Sequence, residues 1–338
     1  MELSGTILSG PEYEPIEGRI VLKNGKIAAV EASATDSTDI ICPAFVNAHT
    51  HLGDSIAKEA GRGLSLEELV APPGGLKHRL LADASREDLV ASMQRSLRVM
   101  RSGGTGAFIE FREGGVEGVD ALASALGPLD LEAFVMGRGD ATVLDVADGY
   151  GASGARDDEF SAERAAARER DKLFGIHAGE LDAADINPAL DLDPDFLVHM
   201  VHAEPLHLER VEDRGVPVVV CPRSNLVTGV GVPPVTDLLE RTTVALGTDN
   251  VMLNSPSMFR EMEFVSKLCD ISAPEVLRMA TAAGAELAGM NCGVIEPGRA
   301  ARLLVLDGDS DNLCGAHDPV RAVVRRAGVG DVKRVVLR

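Results

Sequence analysis

The run Ile40-Ile41-Cys42-Pro43-Ala44-Phe45-Val46-Asn47-Ala48-His49-Thr50-His51 decides how the rest of the chain is read. Seven apolar residues lead almost directly into two histidines spaced two apart. Side chains alternate faces along a strand, so residues two apart point the same way. If the apolar run is a buried strand, His49 and His51 aim two imidazoles into one space at its end. Imidazole is a common ligand of zinc and similar ions. A lone His-x-His arises by chance, so its weight depends on whether the chain supplies further ligands downstream.

Beyond this run, the middle of the chain alternates strand and helix patterns. Candidate strands are 45–49, 106–111, 132–136, 149–153, 173–177, 196–199, 216–220 and 244–246. Between them, Ser85 with Glu87 and Asp88 opens a helix that Gly103-Gly104 stops, and Ser272-Ala273-Pro274-Glu275 is a capping box for a helix closed by Gly289. Eight strand–helix units match the roughly 250 residues of a (β/α)8 TIM barrel, which sets the expected class as α/β. An open doubly wound sheet is the alternative, but no Gly-x-Gly-x-x-Gly follows an early strand.

Both ends read as short strands. Residues 19–22 and 26–30 flank Asn24-Gly25, a hairpin signal. Near the C-terminus, 302–306, 322–324 and 334–337 are β-like. The expected organisation is a small β domain built from both termini, 1–42 and 293–338, around a barrel of 43–292.

The 338 residues are 45% hydrophobic, enough for one large core plus an appendage. No stretch reaches the ~20 apolar residues of a membrane span, and the N-terminus lacks a secretory pattern. Five scattered cysteines form no Cys-x-x-Cys and read as free thiols of a reducing cytoplasm. A net charge of −20 with no basic patch argues against nucleic acid. The dispersed acid suits solubility in concentrated salt, so a halophilic source is an expectation. A homo-oligomer stays open.

In such a barrel, functional residues gather at the C-terminal ends of strands. His177 ends the fifth strand and Glu180 follows it; His199 ends the sixth; Asp249 ends the eighth. With His49 and His51, four strand ends present ligand-type side chains to one mouth.

These pieces resemble the amidohydrolase superfamily, in the branch of cytosine, guanine and S-adenosylhomocysteine deaminases and triazine chlorohydrolases. The matching segments are Pro43 to His51, His177-x-x-Glu180, His199-Met200-Val201-His202, Cys221-Pro222-Arg223-Ser224-Asn225 and Leu246-Gly247-Thr248-Asp249-Asn250. In the tail they are Gly293 to Arg299 and Leu303 to Asp307, so nearly the whole chain is covered. The resemblance implies one divalent ion, zinc before iron or manganese, held by His49, His51, His177 and Asp249. It implies that Asp249 takes a proton from the attacking water, that Glu180 protonates the substrate ring nitrogen, and that His199 stabilises the developing charge. Two-metal relatives use a carboxylated lysine on the third or fourth strand; neither strand here has one, and Lys172 precedes the fifth. The implied reaction is hydrolysis of a carbon–nitrogen bond, deaminating a small aminated heterocycle with release of ammonia. Amide or halide hydrolysis is the alternative. A non-catalytic relative is a third reading, against which the intact ligand set speaks.

Other readings stay open beside these. Glu180 could be the first-turn acid of a following helix, and His202 competes with His199. His207 is expected on a solvated helix, and Cys221 as packing. Ser224, Asn225 and Asn250 could cap turns or touch substrate, and Glu110 points at the pocket or at a helix. The loop from Gly53 to Leu66 is expected to cover the site, with Arg62 and Lys58, or Arg112, Arg138 and Arg223 at other strand ends, available to a substrate anion. Phe45, Phe108, Phe111 and Tyr150 are the few candidates to stack on a flat ring.

Overall fold

The structure is a computed structural model that describes residues 1–72 and 74–338. The N-terminal segment forms β1 (Glu2–Ser9), β2 (Glu14–Lys23), β3 (Lys26–Ala32) and β4 (Ile40–Pro43). β2 and β3 are antiparallel around Asn24 and Gly25, whose φ values of 51° and 71° are what a tight hairpin turn requires.

From Phe45 the chain winds through nine parallel strands. They are β5 (Phe45–His51), β6 (Thr105–Arg112), β7 (Glu132–Gly137), β8 (Gly149–Ala152), β9 (Leu173–Ala178), β10 (Phe196–His199), β11 (Val218–Val220), β12 (Val244–Leu246) and β13 (Asp249–Asn250). Their order is β12-β11-β10-β9-β8-β7-β6-β5-β13, a curled α/β sheet. Most of these strands are buried along their whole length, the pattern of parallel strands covered on both faces. The two ends of the order, β12 and β13, are separated in sequence by Gly247 and Thr248 alone. Asn47 stitches this seam: its Nδ2 donates to Thr248 Oγ1 at 2.8 Å, and its Oδ1 accepts from Thr248 N at 3.0 Å. Gly247 is required there, because a Cβ would stand 2.6 Å from His49 Cβ.

The chain then returns to the first sheet as β14 (Leu303–Leu306) and β15 (Val332–Val336), giving the order β15-β14-β4-β1-β2-β3. Residues 322–324, expected as a strand, lie instead in the helix Pro319–Arg325. Asp318 caps that helix by accepting from Arg321 N, and Pro319 opens it. A three-residue apolar run has no periodicity of its own, and the cap decides.

The helix from Ser272 does start in a capping box, but it does not run to Gly289. It stops at Met279 and resumes as Ala282–Leu287. At the break Tyr13 donates to Thr281 Oγ1 at 2.7 Å, while Thr281 donates to Leu277 O. The freed Ala280 carbonyl accepts from Val46 N at the base of β5. Both ends of the helix Arg86–Ser102 agree with the sequence, with Ser85 as N-cap and Gly103 after its last residue. Among the described residues no helix is long and apolar enough to cross a membrane.

Candidate metal centre

β5, β9 and β13 bring four donor atoms to one point. His177 Nε2 lies 3.2 Å from His49 Nε2 and 3.4 Å from His51 Nε2. Asp249 Oδ1 lies 3.4 Å from His49 Nε2 and 3.6 Å from His51 Nε2. Donors bound tetrahedrally at about 2.0–2.2 Å stand roughly 3.3–3.6 Å apart, so the spacing is that of a ligand shell.

The protonation pattern agrees. His177 Nδ1 donates to Ala152 O at 2.8 Å, and His51 Nδ1 donates to Glu113 Oε1 at 3.0 Å. Each ring therefore turns a bare Nε2 lone pair inward, and bare lone pairs facing one another repel unless a cation sits between them. Burial lowers the pKa of His49, takes that of His51 down to about 3 with the Lys77 charge adding, and holds His177 well below its usual value. Burial pushes Asp249 the other way, but its bond to His49 and the surrounding histidines win and hold it well below the carboxylate range. Neutral imidazoles and one carboxylate are the states a divalent ion needs.

Around this cluster stand further ionisable and hydrogen-bonding groups. Glu180 lies in the loop after β9, before the short turn Ala183–Asp185 capped by Asp182, and so is not a first-turn acid. Its Oε2 is 3.5 Å from His199 Nε2. Burial raises its carboxyl above the usual range and Asp249 adds to this, while His199 opposes. Asn225 Nδ2 donates to His199 Nδ1 at 3.1 Å, which leaves the proton on Nε2. Ser224 Oγ donates to Asp249 Oδ2, freeing Oδ1 to face the histidines. Both come from the helix Pro222–Thr228, pinned by Arg223, whose Nε and backbone N bond Glu261. His199 and Asp249 hold φ values of 79° and 58°, left-handed conformations uncommon for such residues and concentrated at functional sites.

The cleft above is lined on one side by Leu66, Val70, Ala71 and Pro72, and elsewhere by Lys77, Arg138, Arg156, Glu67, Asp157 and Asp185. The segment after the His-x-His motif thus contributes through the helix Leu66–Val70. Arg62 and Lys58 are exposed and not on the cleft wall. Arg138 reaches the wall but bonds Glu113, and Arg112 and Arg223 are buried behind it. Glu110 is also off the wall: fully buried, it accepts from Thr50 Oγ1 and Leu52 N. Ser224 and Asn225 support the centre from behind. Asn250 lines the cleft, although its Oδ1 also accepts from Met252 N in a turn. Phe111 packs against His49 and His177 with ring centroids 4.6 and 5.1 Å away. Neither it nor Phe45, Phe108 or Tyr150 lines the cleft. His207, expected on a solvated face, is buried and accepts from Glu204 N as a capping group. Lys172 Nζ donates to the carbonyls of Leu144 and Ala147, away from the ligands. Lys77, Glu113, Asp54 and Arg156 belong to no motif in the sequence; the one signal among them is that Glu113 stands three residues beyond Glu110.

The amidohydrolase family matches residues 40–338. The chain belongs to the amidohydrolase family.

A protein of Methanothermobacter thermautotrophicus, provisionally named an aminohydrolase, is 34% identical across 99% of this chain and 97% of its own. A 5-methylthioadenosine/S-adenosylhomocysteine deaminase of Haloarcula marismortui is 30% identical across 93% of this chain and 85% of its own. A zinc-bound adenosine deaminase from Xanthomonas campestris superposes with a TM-score of 0.83 at 22% identity, covering 98% of this chain and 90% of that one. Atrazine chlorohydrolase of Arthrobacter aurescens, complexed with zinc, gives 0.84 at 20%, covering 99% and 93%. At those identities the two structures speak for the fold. This amidohydrolase is a hydrolase acting on carbon–nitrogen bonds of small molecules, and its histidine–aspartate cluster offers the donor set of a candidate divalent-metal site.

Proposed function

We propose that this amidohydrolase is a mononuclear zinc enzyme that deaminates an aminated heterocycle, nucleobase- or nucleoside-like, and releases ammonia. The observation that carries this reading is Glu180, an acid whose carboxyl is raised above its usual pKa, placed 3.5 Å from His199 Nε2 at the mouth of the metal cluster. A heteroaromatic amine needs its ring nitrogen protonated before it accepts a nucleophile, and a carboxyl that burial makes hold its proton more tightly suits that task. Relatives named as deaminases support the same reading.

His49, His51, His177 and Asp249 would hold the ion, and what such an ion supplies when bound is a water activated at neutral pH. Asp249 accepts the proton that this water loses on attack. Glu180 delivers a proton to the ring nitrogen, regains the one Asp249 took and passes it to the leaving amine, and is reprotonated from the adduct's hydroxyl as the carbonyl forms. His199, with its proton kept on Nε2 by Asn225, donates a hydrogen bond to the oxygen that gains charge. Asn250, on the cleft wall, reaches substrate directly; Ser224 and Asn225 support Asp249 and His199, Glu110 is buried behind the wall, and Arg62 is exposed away from it.

The same reading takes the curled sheet as an eight-stranded barrel, its last strand interrupted at Gly247-Thr248 so that β12 bonds β11 and β13 bonds β5. Residues 1–42 with 293–338 then form the small β domain and 43–292 the barrel. Five unpaired cysteines fit a cytoplasmic setting.

Amide or halide hydrolysis is the second reading, favoured by one observation: among the described residues the cleft wall carries no aromatic ring besides His51, His177 and His199. Ammonia release from a panel of aminated purines, pyrimidines, pterins and nucleosides, using zinc-loaded protein in concentrated KCl, separates the two. Release from one group is expected. Silence on protein verified to hold its metal rejects deamination in favour of amide or halide hydrolysis.

A further inference from the structure

We propose that Glu113 is a positioning residue for the metal ligand His51, and that Lys77 clamps Glu113 to that task. The inference rests on the metal reading above and assigns work to groups that the catalytic account does not use.

Glu113 follows β6, and its Oε1 accepts three donors from three parts of the fold. His51 Nδ1 comes from β5 at 3.0 Å, Lys77 Nζ from the helix Leu76–Asp83 at 2.8 Å, and Arg138, just past β7, through Nη1 at 3.0 Å. Lys77 Nζ is also 3.1 Å from Asp54 Oδ2. Asp54 and Lys77 are buried and Glu113 nearly so. Two carboxylates and two cations balance in charge, which is what allows the cluster to leave water.

His51, Asp54 and Glu113 by themselves would form a second cation-binding group. The Lys77 ammonium lies within bonding reach of both carboxylates and takes that place. His51 could not ligate there, because its Nδ1 carries the proton it gives to Glu113. The carboxylate therefore acts through the ring: it fixes the tautomer, keeps the Nε2 lone pair turned toward His49, His177 and Asp249, and raises the basicity of that nitrogen. An oxygen approached from three directions cannot swing away, so the ring plane is set as well. No periodicity or motif marks Lys77, since only tertiary packing brings it to Glu113.

The test is zinc affinity, read by competition with a chromophoric chelator, with histidine ring 15N NMR of the zinc-loaded protein beside it. Glu113→Gln and Lys77→Met are each expected to weaken zinc binding by about 10–100-fold. The double variant should be no weaker than the worse single, because both act through one hydrogen bond. The His51 ring signals should move while those of His177, held by Ala152, stay. Lys77→Arg keeps the cation and should retain affinity. If Lys77→Met fails to fold, Glu113→Gln, which preserves size and an acceptor oxygen, decides the matter alone. Wild-type affinity in Glu113→Gln with unmoved His51 signals overturns the proposal, as do losses that multiply in the double variant. Wild-type protein that binds no zinc would overturn the metal reading itself, which is a separate and distinguishable failure.

Discussion

At the scale of single residues, the centre depends on where protons are kept. His51 and His177 each spend Nδ1–H on an oxygen and so expose Nε2, whereas His199 receives a bond at Nδ1 and so keeps its proton on Nε2. The same side chain thus presents a lone pair in one setting and an N–H in another. Replacing His177 by Ala or Asp249 by Asn removes a donor from the shell, and elemental analysis after desalting should show metal lost from both variants. Glu110, bonded to Thr50 and Leu52 beside the histidine pair, offers a pH test. Burial raises its carboxyl to about 8, against the opposing Arg112 charge. A carboxyl raised in the fold contributes fully below about 4.5, and that contribution is lost as pH rises through about 8. Calorimetric melting of Glu110→Gln should therefore gain on the wild type between about pH 5 and about pH 9. A gap that does not change with pH would count against a protonated Glu110.

At the scale of elements, the helix Pro222–Thr228 shows how distant packing reaches the chemistry. It carries Ser224 to Asp249 and Asn225 to His199, and the buried pair Arg223–Glu261 holds it to the helix Met258–Leu268. Glu261→Leu would leave the Arg223 charge buried and unpaired, at a cost of about 3–5 kcal/mol. Urea unfolding should show that loss, and turnover should fall with it. Elements are legible in the sequence to the extent that their cause is local. The strands from Phe45 to Leu246 stand out because burial on both faces makes each an apolar run, and Ser85 and Ser272 announce their helices through caps. The break at Ala280 and Thr281 is not legible, since the bond that meets it comes from Tyr13, in the turn between β1 and β2. Ala322–Val324 resembles a strand but is helical, because Asp318 and Pro319 outweigh a short apolar run. In the centre, the histidines and Asp249 can be read because strand ends fix their direction. Lys77 cannot, because no strand or motif carries it.

At the scale of the whole molecule, two sheets share one seam of buried contacts and one strongly acidic surface. Arg302, at the entry to β14, donates to the carbonyls of Gly106 and Asp130 and pairs with Glu132, tying the terminal sheet to the parallel one. A net charge of −20 repels itself in dilute buffer and is screened in salt. The melting temperature should therefore rise from dilute buffer to molar KCl, and a flat response would remove the case for adaptation to salt.

The most direct test of the catalytic account is Glu180→Gln, assayed for bound zinc and for ammonia release from whichever substrate the panel identifies. The side chain keeps its shape but can no longer give up or take a proton, and it lies outside the four proposed ligands. The account predicts retained zinc with turnover lowered by about 10²–10⁴-fold. Normal turnover in that variant would contradict it, because no other group on the described cleft wall pairs a raised carboxyl with His199.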